Sequence, residues 1–85
     1  MDRNQILDEA KRLTSVDRQK NYGEPLINHQ RIAQLWQVIL GTEISPAEVA
    51  LCMCAVKIAL LVETPQHEDS YVDLVAYAAI AGEIS

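Results

Sequence analysis

Residues 45–65 read SPAEVALCMCAVKIALLVETP, and the reading of this stretch decides the fold. Ser45 is an N-cap residue, Pro46 suits the first helical position, and Glu48 stands three residues after the cap, where its carboxylate can reach back to the cap N–H. Thr64-Pro65 closes the stretch, because the residue before a proline disfavours helical backbone angles. The signals predict one helix from Pro46 to about Glu63. Inside it the run from Val49 to Val62 is fourteen residues long and carries Lys57, too short and too charged to span a bilayer. A helix apolar almost all round has no solvent face of its own, so it belongs at the centre of a bundle or at a subunit interface.

On the N-terminal side a second helix is predicted from Pro25 to Leu40, with Ile32, Leu35, Trp36 and Ile39 as its buried stripe and Gly41 where a helix commonly stops. The segment before it, SVDRQKNYGEP, has no apolar period and reads as a loop in which Gly23 can supply a positive φ. A first amphipathic helix covers Asp2 to about Thr14, with Ile6, Leu7, Ala10 and Leu13 on one face and Asp8, Glu9, Lys11 and Arg12 on the other. On the C-terminal side a short turn, PQHED, leads to a fourth helix from about Ser70 to Glu83. With no β-alternation and no repeat, the expectation is an all-α chain, a compact four-helix bundle forming a single domain over residues 1–85.

Eighty-five residues bury a smaller share of their surface than a larger domain does, so a homodimer or higher homo-oligomer is expected to complete the core. The 49% hydrophobic and 22% charged composition, with three Gly and three Pro, excludes disordered and linker-rich classes. The net charge of −5 is uneven: residues 1–31 hold six basic residues against five acids, whereas residues 32–85 hold Lys57 against seven acids. An acidic chain without a Lys/Arg stripe disfavours duplex nucleic acid as a partner. Cys52 and Cys54, two apart on a helix, point in nearly opposite directions and read as small reduced core residues. The opening MDRNQILDEAKR is charged from its second residue, unlike a secretory leader, so a cytoplasmic protein without a membrane partner is expected.

Two positions raise the question of a site. Lys57 has Met53, Cys54, Leu60 and Leu61 as its helical neighbours, so nothing on its own helix neutralises it. Either its stem packs while the ammonium reaches water, or it pairs across helices, with Asp73 the natural candidate. Asp73 has Asp69 one turn before it and Tyr77 one turn after, which sets two carboxylates and a phenol on one helix face. A lysine, a basic ligand or Mg²⁺ with retained waters would relieve the repulsion of the two acids. The structural alternative is that Ser70 caps the helix and Asp73 closes a capping box. Arg18, Lys20 and Tyr22, ahead of a helix that carries Asn28 in its first turn, offer cations, an aromatic face and an amide to an anion and a base, although a solvated loop has the same composition. Trp36 reads as core, and His29 and His67 fit no zinc or iron ligand spacing. P-loop, Rossmann and nucleophile-elbow motifs are absent from the sequence.

In order along the chain, Asp17-Arg18, Tyr22-Gly23-Glu24-Pro25 with Asn28, Lys57-Ile58, and Asp69-Ser70-Tyr71-Val72-Asp73 with Tyr77 resemble a family of small uncharacterised proteins of phages and prophages, from Ile6 to Ile84. More distantly, Asp69, Asp73 and Tyr77 resemble the acidic last helix of the MazG-like all-α nucleotide pyrophosphohydrolases. That resemblance implies Mg²⁺ held by Asp69 and Asp73 against the phosphates of a nucleoside triphosphate, with Lys57, Arg18 or Lys20 on phosphate. The second acidic motif of those enzymes has no counterpart here, since Glu43, Glu48 and Glu63 fall in a loop, a cap and a helix end, and a missing carboxylate removes charge that would hold the ion. Two functions follow as expectations. One is a phage-type Mg²⁺-dependent nucleoside triphosphate pyrophosphohydrolase, for which no catalytic residue is assigned. The alternative is a noncatalytic, signal-sequestering nucleotide-binding module using Tyr22, Lys57 and Tyr77, and a structural accessory protein is the third reading.

Overall fold

The computed structural model describes residues 1–15 and 23–85, and the described residues form four helices: α1 (Arg3–Leu13), α2 (Pro25–Leu40), α3 (Pro46–Glu63) and α4 (Glu68–Ile84). The chain is all-α, as the periodicities predict. Asp2 caps α1 in a capping box with Gln5. Glu24 caps α2 through Ile27 N–H, and Gly41 ends that helix at φ 68°, its N–H donating to Gln37 O at 2.9 Å. Gly23, at φ 83°, turns the chain into α2 as its position in the sequence suggested.

The cap of α3 is the one read from the sequence. Ser45 Oγ accepts from Glu48 N–H at 3.1 Å, and Glu48 Oε1 accepts from Ser45 N–H at 2.9 Å. The Ser45 backbone N–H first, then its hydroxyl, holds the Glu48 carboxyl below its ordinary value. A depressed folded-state value means that this contribution to stability is full above the unfolded carboxylate pKa and is lost as pH falls through the folded one. Glu48→Gln, which can keep the amide version of the box, should therefore melt with a weaker acid dependence than the parent, and Ser45→Ala should cost about 1 kcal/mol at neutral pH. Thermal melts from pH 7 to pH 3 check both. Parallel acid profiles for the parent and Glu48→Gln would refute the linkage.

The start of α4 departs from expectation. The helix begins at Glu68 with His67 as the flanking residue, so Ser70 is its third residue and not its cap. Ser70 is buried, 1% exposed, and its hydroxyl shares a 2.7 Å hydrogen bond with His67 Nδ1. Asp73 closes no capping box. Glu68 and Asp69 occupy the first turn, where the helix dipole favours acids. The N-terminal ammonium bonds Glu68 Oε1 at 2.6 Å, and Tyr71 OH donates to Pro65 O at 2.7 Å across the turn from α3.

α4, not α3, is the helix that packs against all the others. The buried residues of the two helices in its seam with α3 are mostly small, Val49, Ala50 and Cys54 in α3 and Ser70, Val72, Ala76 and Ala81 in α4. Cys54 Sγ lies 3.9 Å from Leu74 O, and burial raises its thiol above the ordinary value. Cys52 is exposed, contrary to the core position expected for it. α1 lies on α4 through Ile6, Ala10 and Leu13 against Val72, Val75 and Ala76, while Leu7 faces outward. The radius of gyration, 13.4 Å, exceeds the roughly 12 Å of a compact domain this long, and the extents of 40 × 31 × 20 Å describe an open, flattened arrangement instead of the compact bundle expected.

The α2 stripe is also displaced. The buried residues are His29 and Ala33, with Ile32 and Trp36 half-buried, whereas Leu35 and Ile39 are 64% and 77% exposed. Val38 and Leu40 join them on the surface, as do Leu51, Val56, Ile58, Leu60 and Val62 of α3. The absence of a polar face on α3 thus reaches the surface as exposed apolar residues. None of the described helices is long and apolar enough to cross a membrane.

Candidate functional site

Lys57 has the partner that its own helix could not give it. Its ammonium lies 3.0 Å from Asp73 Oδ2 across the α3–α4 seam, with the two side chains 20% and 35% exposed. Snorkelling is therefore not the role of Lys57, and capping is not the role of Asp73. The pair is partly withdrawn from water, so its mutual attraction is screened less than that of a surface pair.

Asp73 stands between two clefts. The first, about 270 Å³, is lined by Asn28 and His29 of α2, Asp73, Ala76, Tyr77 and Ile80 of α4, and Leu13, Thr14, Gly23 and Pro25 around them. The second, about 320 Å³ and more polar, is lined by Glu9, Arg12, Leu13, Asp69, Val72 and Asp73. Asp69 and Tyr77, placed on one helix face by their spacing, thus serve different clefts, with Asp73 shared. Arg12 bonds Glu9, which by hydrogen bonding and then by charge raises the guanidinium above its ordinary value. Among the described residues no three of His, Cys, Asp or Glu gather where an ion could be held. Of the three acids that line the second cleft, Glu9 is on Arg12 and Asp73 on Lys57, which leaves Asp69, and these residues do not fit a resident Mg²⁺.

Of the candidate residues, Asn28, Asp73 and Tyr77 meet in the first cleft, Lys57 reaches it through Asp73, and Asp69 lines the second. Arg18, Lys20 and Tyr22 lie outside the described residues. His29 is the residue that sequence reasoning missed. It is 5% exposed, packs edge-on to Tyr77 with ring centroids 6.4 Å apart, and lies 2.8 Å through Nδ1 from Pro25 O. Ala33, a small residue one turn later, is the signal that could have shifted the buried face onto it.

These observations define a small all-α chain with a cleft of about 270 Å³ beside a paired carboxylate. The chain belongs to the family described as a domain of unknown function (DUF6378), which it matches over residues 5–85. It is similar to the Gene 55 protein of Mycobacterium phage D29, 43% identical over 79 residues that cover 93% of this chain and 52% of that one. The Gene 55 protein of Mycobacterium phage L5 is 38% identical over 76 residues, covering 88% and 49% respectively. The chain thus spans about half the length of these curated relatives. No solved structure matches it.

Proposed function

We propose that the chain is a noncatalytic nucleotide-binding module that works as a homo-oligomer. The observation that carries the reading is the convergence of Asn28, Asp73 and Tyr77, from two helices, on one cleft whose carboxylate is held by Lys57. At about 270 Å³ the cleft is just below the ~300 Å³ at which small-molecule pockets begin, so it suits a base better than a whole nucleotide. The phosphates then lie outside it, and the sequence offers Arg18 and Lys20 as cations and Tyr22 as a second aromatic for them. Lys57 enters by fixing Asp73 and not by contacting phosphate. A phage using such a module could withdraw a nucleotide signal from its host.

The hydrolytic alternative keeps the MazG-like resemblance of Asp69, Asp73 and Tyr77, but it needs an ion for which the second cleft supplies three acids, two of them already paired. In the binding reading, Mg²⁺ enters only as a companion of the nucleotide's phosphates. The second copy is proposed from the exposed apolar residues of α2 and α3, which a standard interface of about 800 Å² per partner would cover.

Thermal shift with a panel of nucleoside phosphates and cyclic dinucleotides, with and without Mg²⁺, tests the reading alongside phosphate and pyrophosphate release. A ligand present at a hundred times its Kd should stabilise the fold by about 2.7 kcal/mol without turnover. Metal-dependent release lost in Asp73→Asn would replace the binder with the enzyme. No shift with any nucleotide would remove both.

A further inference from the structure

His29 carries a buried polar atom that no described residue partners. The Pro25 carbonyl can only accept, so the 2.8 Å contact requires Nδ1 to carry the hydrogen. In the neutral ring Nε2 is then a bare lone pair, and that atom is buried without a hydrogen-bond partner among the described residues. A buried acceptor left unpaired is costly, and native folds retain few of them. The ring that bears it is 5% exposed and lines the first cleft beside Asp73 and Tyr77.

We infer that His29 is a base-recognising residue, whose Nε2 accepts a hydrogen bond from an N–H of a nucleobase seated in the cleft. This rests on the nucleotide-binding reading above and adds its specificity. Two residues that carry acceptors line the cleft, His29 and Asp73, the latter with Oδ2 on Lys57. A phosphate oxygen, itself an acceptor, is repelled by both, which orients the ligand with its base inward. A base edge with adjacent donors satisfies both acceptors, and guanine presents one, with its ring N1–H beside its exocyclic amine. Adenine and cytosine bring an amine without a neighbouring ring N–H, and uracil a ring N–H without an amine.

The test is calorimetric titration of the parent, His29→Phe and His29→Gln with guanosine, inosine, adenosine and uridine monophosphates, together with ¹⁵N NMR of the parent's imidazole. Guanosine monophosphate should bind most tightly and inosine monophosphate, which lacks the exocyclic amine, at least tenfold more weakly. His29→Phe, which keeps the ring against Tyr77, should lose at least tenfold for the guanine nucleotide. His29→Gln, whose amide oxygen can take the place of Nε2, should recover part of it. The Nε2 resonance should move on binding, a readout that does not depend on either variant folding. Tight binding that ignores base identity, leaves Nε2 unmoved and survives His29→Phe would overturn this inference while leaving the nucleotide reading standing. No binding of any nucleotide by the parent would overturn both.

Discussion

Lys57→Met and Asp73→Asn should each destabilise the fold by about 2 kcal/mol, while the double variant should lose clearly less than the sum of the two. The estimate sits between an exposed ion pair, whose contribution is about 0–1 kcal/mol, and a fully buried one, where removing a single partner costs about 3–5 kcal/mol. With side-chain exposures of 20% and 35%, the pair lies between those limits. Each single change strands a charge, or the polar remnant of one, in the α3–α4 seam, whereas the double change strands neither. Urea unfolding of the four proteins gives the coupling energy directly, and about 1–2 kcal/mol is expected for two groups in contact. Additive effects would mean that the pair is only a surface contact, and Asp73 would then lose its reason for being held at the cleft. Asp73→Asn should also weaken nucleotide binding, whereas Lys57→Met should act on binding less than on stability, because the lysine reaches the cleft only through its partner.

The parts of this fold that were legible in the sequence were those decided by a few neighbouring residues. Ser45, Pro46 and Glu48 satisfy one another locally, so the start of α3 could be read without knowing what surrounds it. Gly23 and Gly41 were legible because a positive φ is a property of the residue and not of its packing. Ser70 and Asp73 have the same cap-like spacing, yet there the local pattern lost. Ser70 is buried and occupied with His67, and the backbone had already turned helical at Glu68. Periodicity misplaced the α2 stripe for a related reason. A run such as LWQVIL is apolar on several sides, and which side faces the core depends on where α4 lies. The Lys57–Asp73 pair could be anticipated because Lys57 had no neighbour of its own to neutralise it. His29 could not, since its interest lies in a missing partner, which only three-dimensional packing reveals.

Val38→Asp and Val62→Asp should each turn a dimer into a monomer while leaving the fold intact. The two side chains are 83% and 79% exposed in the single chain, so a carboxylate there stays in water and should change the stability of the isolated chain by no more than about 0.5 kcal/mol. Leu35, Val38 and Ile39 sit at helical spacing on α2, and Leu51, Ile58 and Val62 at helical spacing on α3, so each position lies within an apolar stripe. In the proposed homo-oligomer a second copy covers these stripes, since the same chain offers the same stripes and a two-fold contact is self-complementary. Symmetry then counts every substitution twice, placing two like charges in a dry interface between chains that already carry a net charge of −5 each. At about 2 kcal/mol or more for each unpaired buried carboxylate, the dimer should weaken by at least about a thousandfold. Sedimentation equilibrium is the measurement. The parent should show twice the 9.5 kDa of one chain at micromolar concentration, and either variant a single chain with an unchanged helical spectrum. A parent that stays monomeric throughout, or variants that remain dimeric, would take the second copy off these helices.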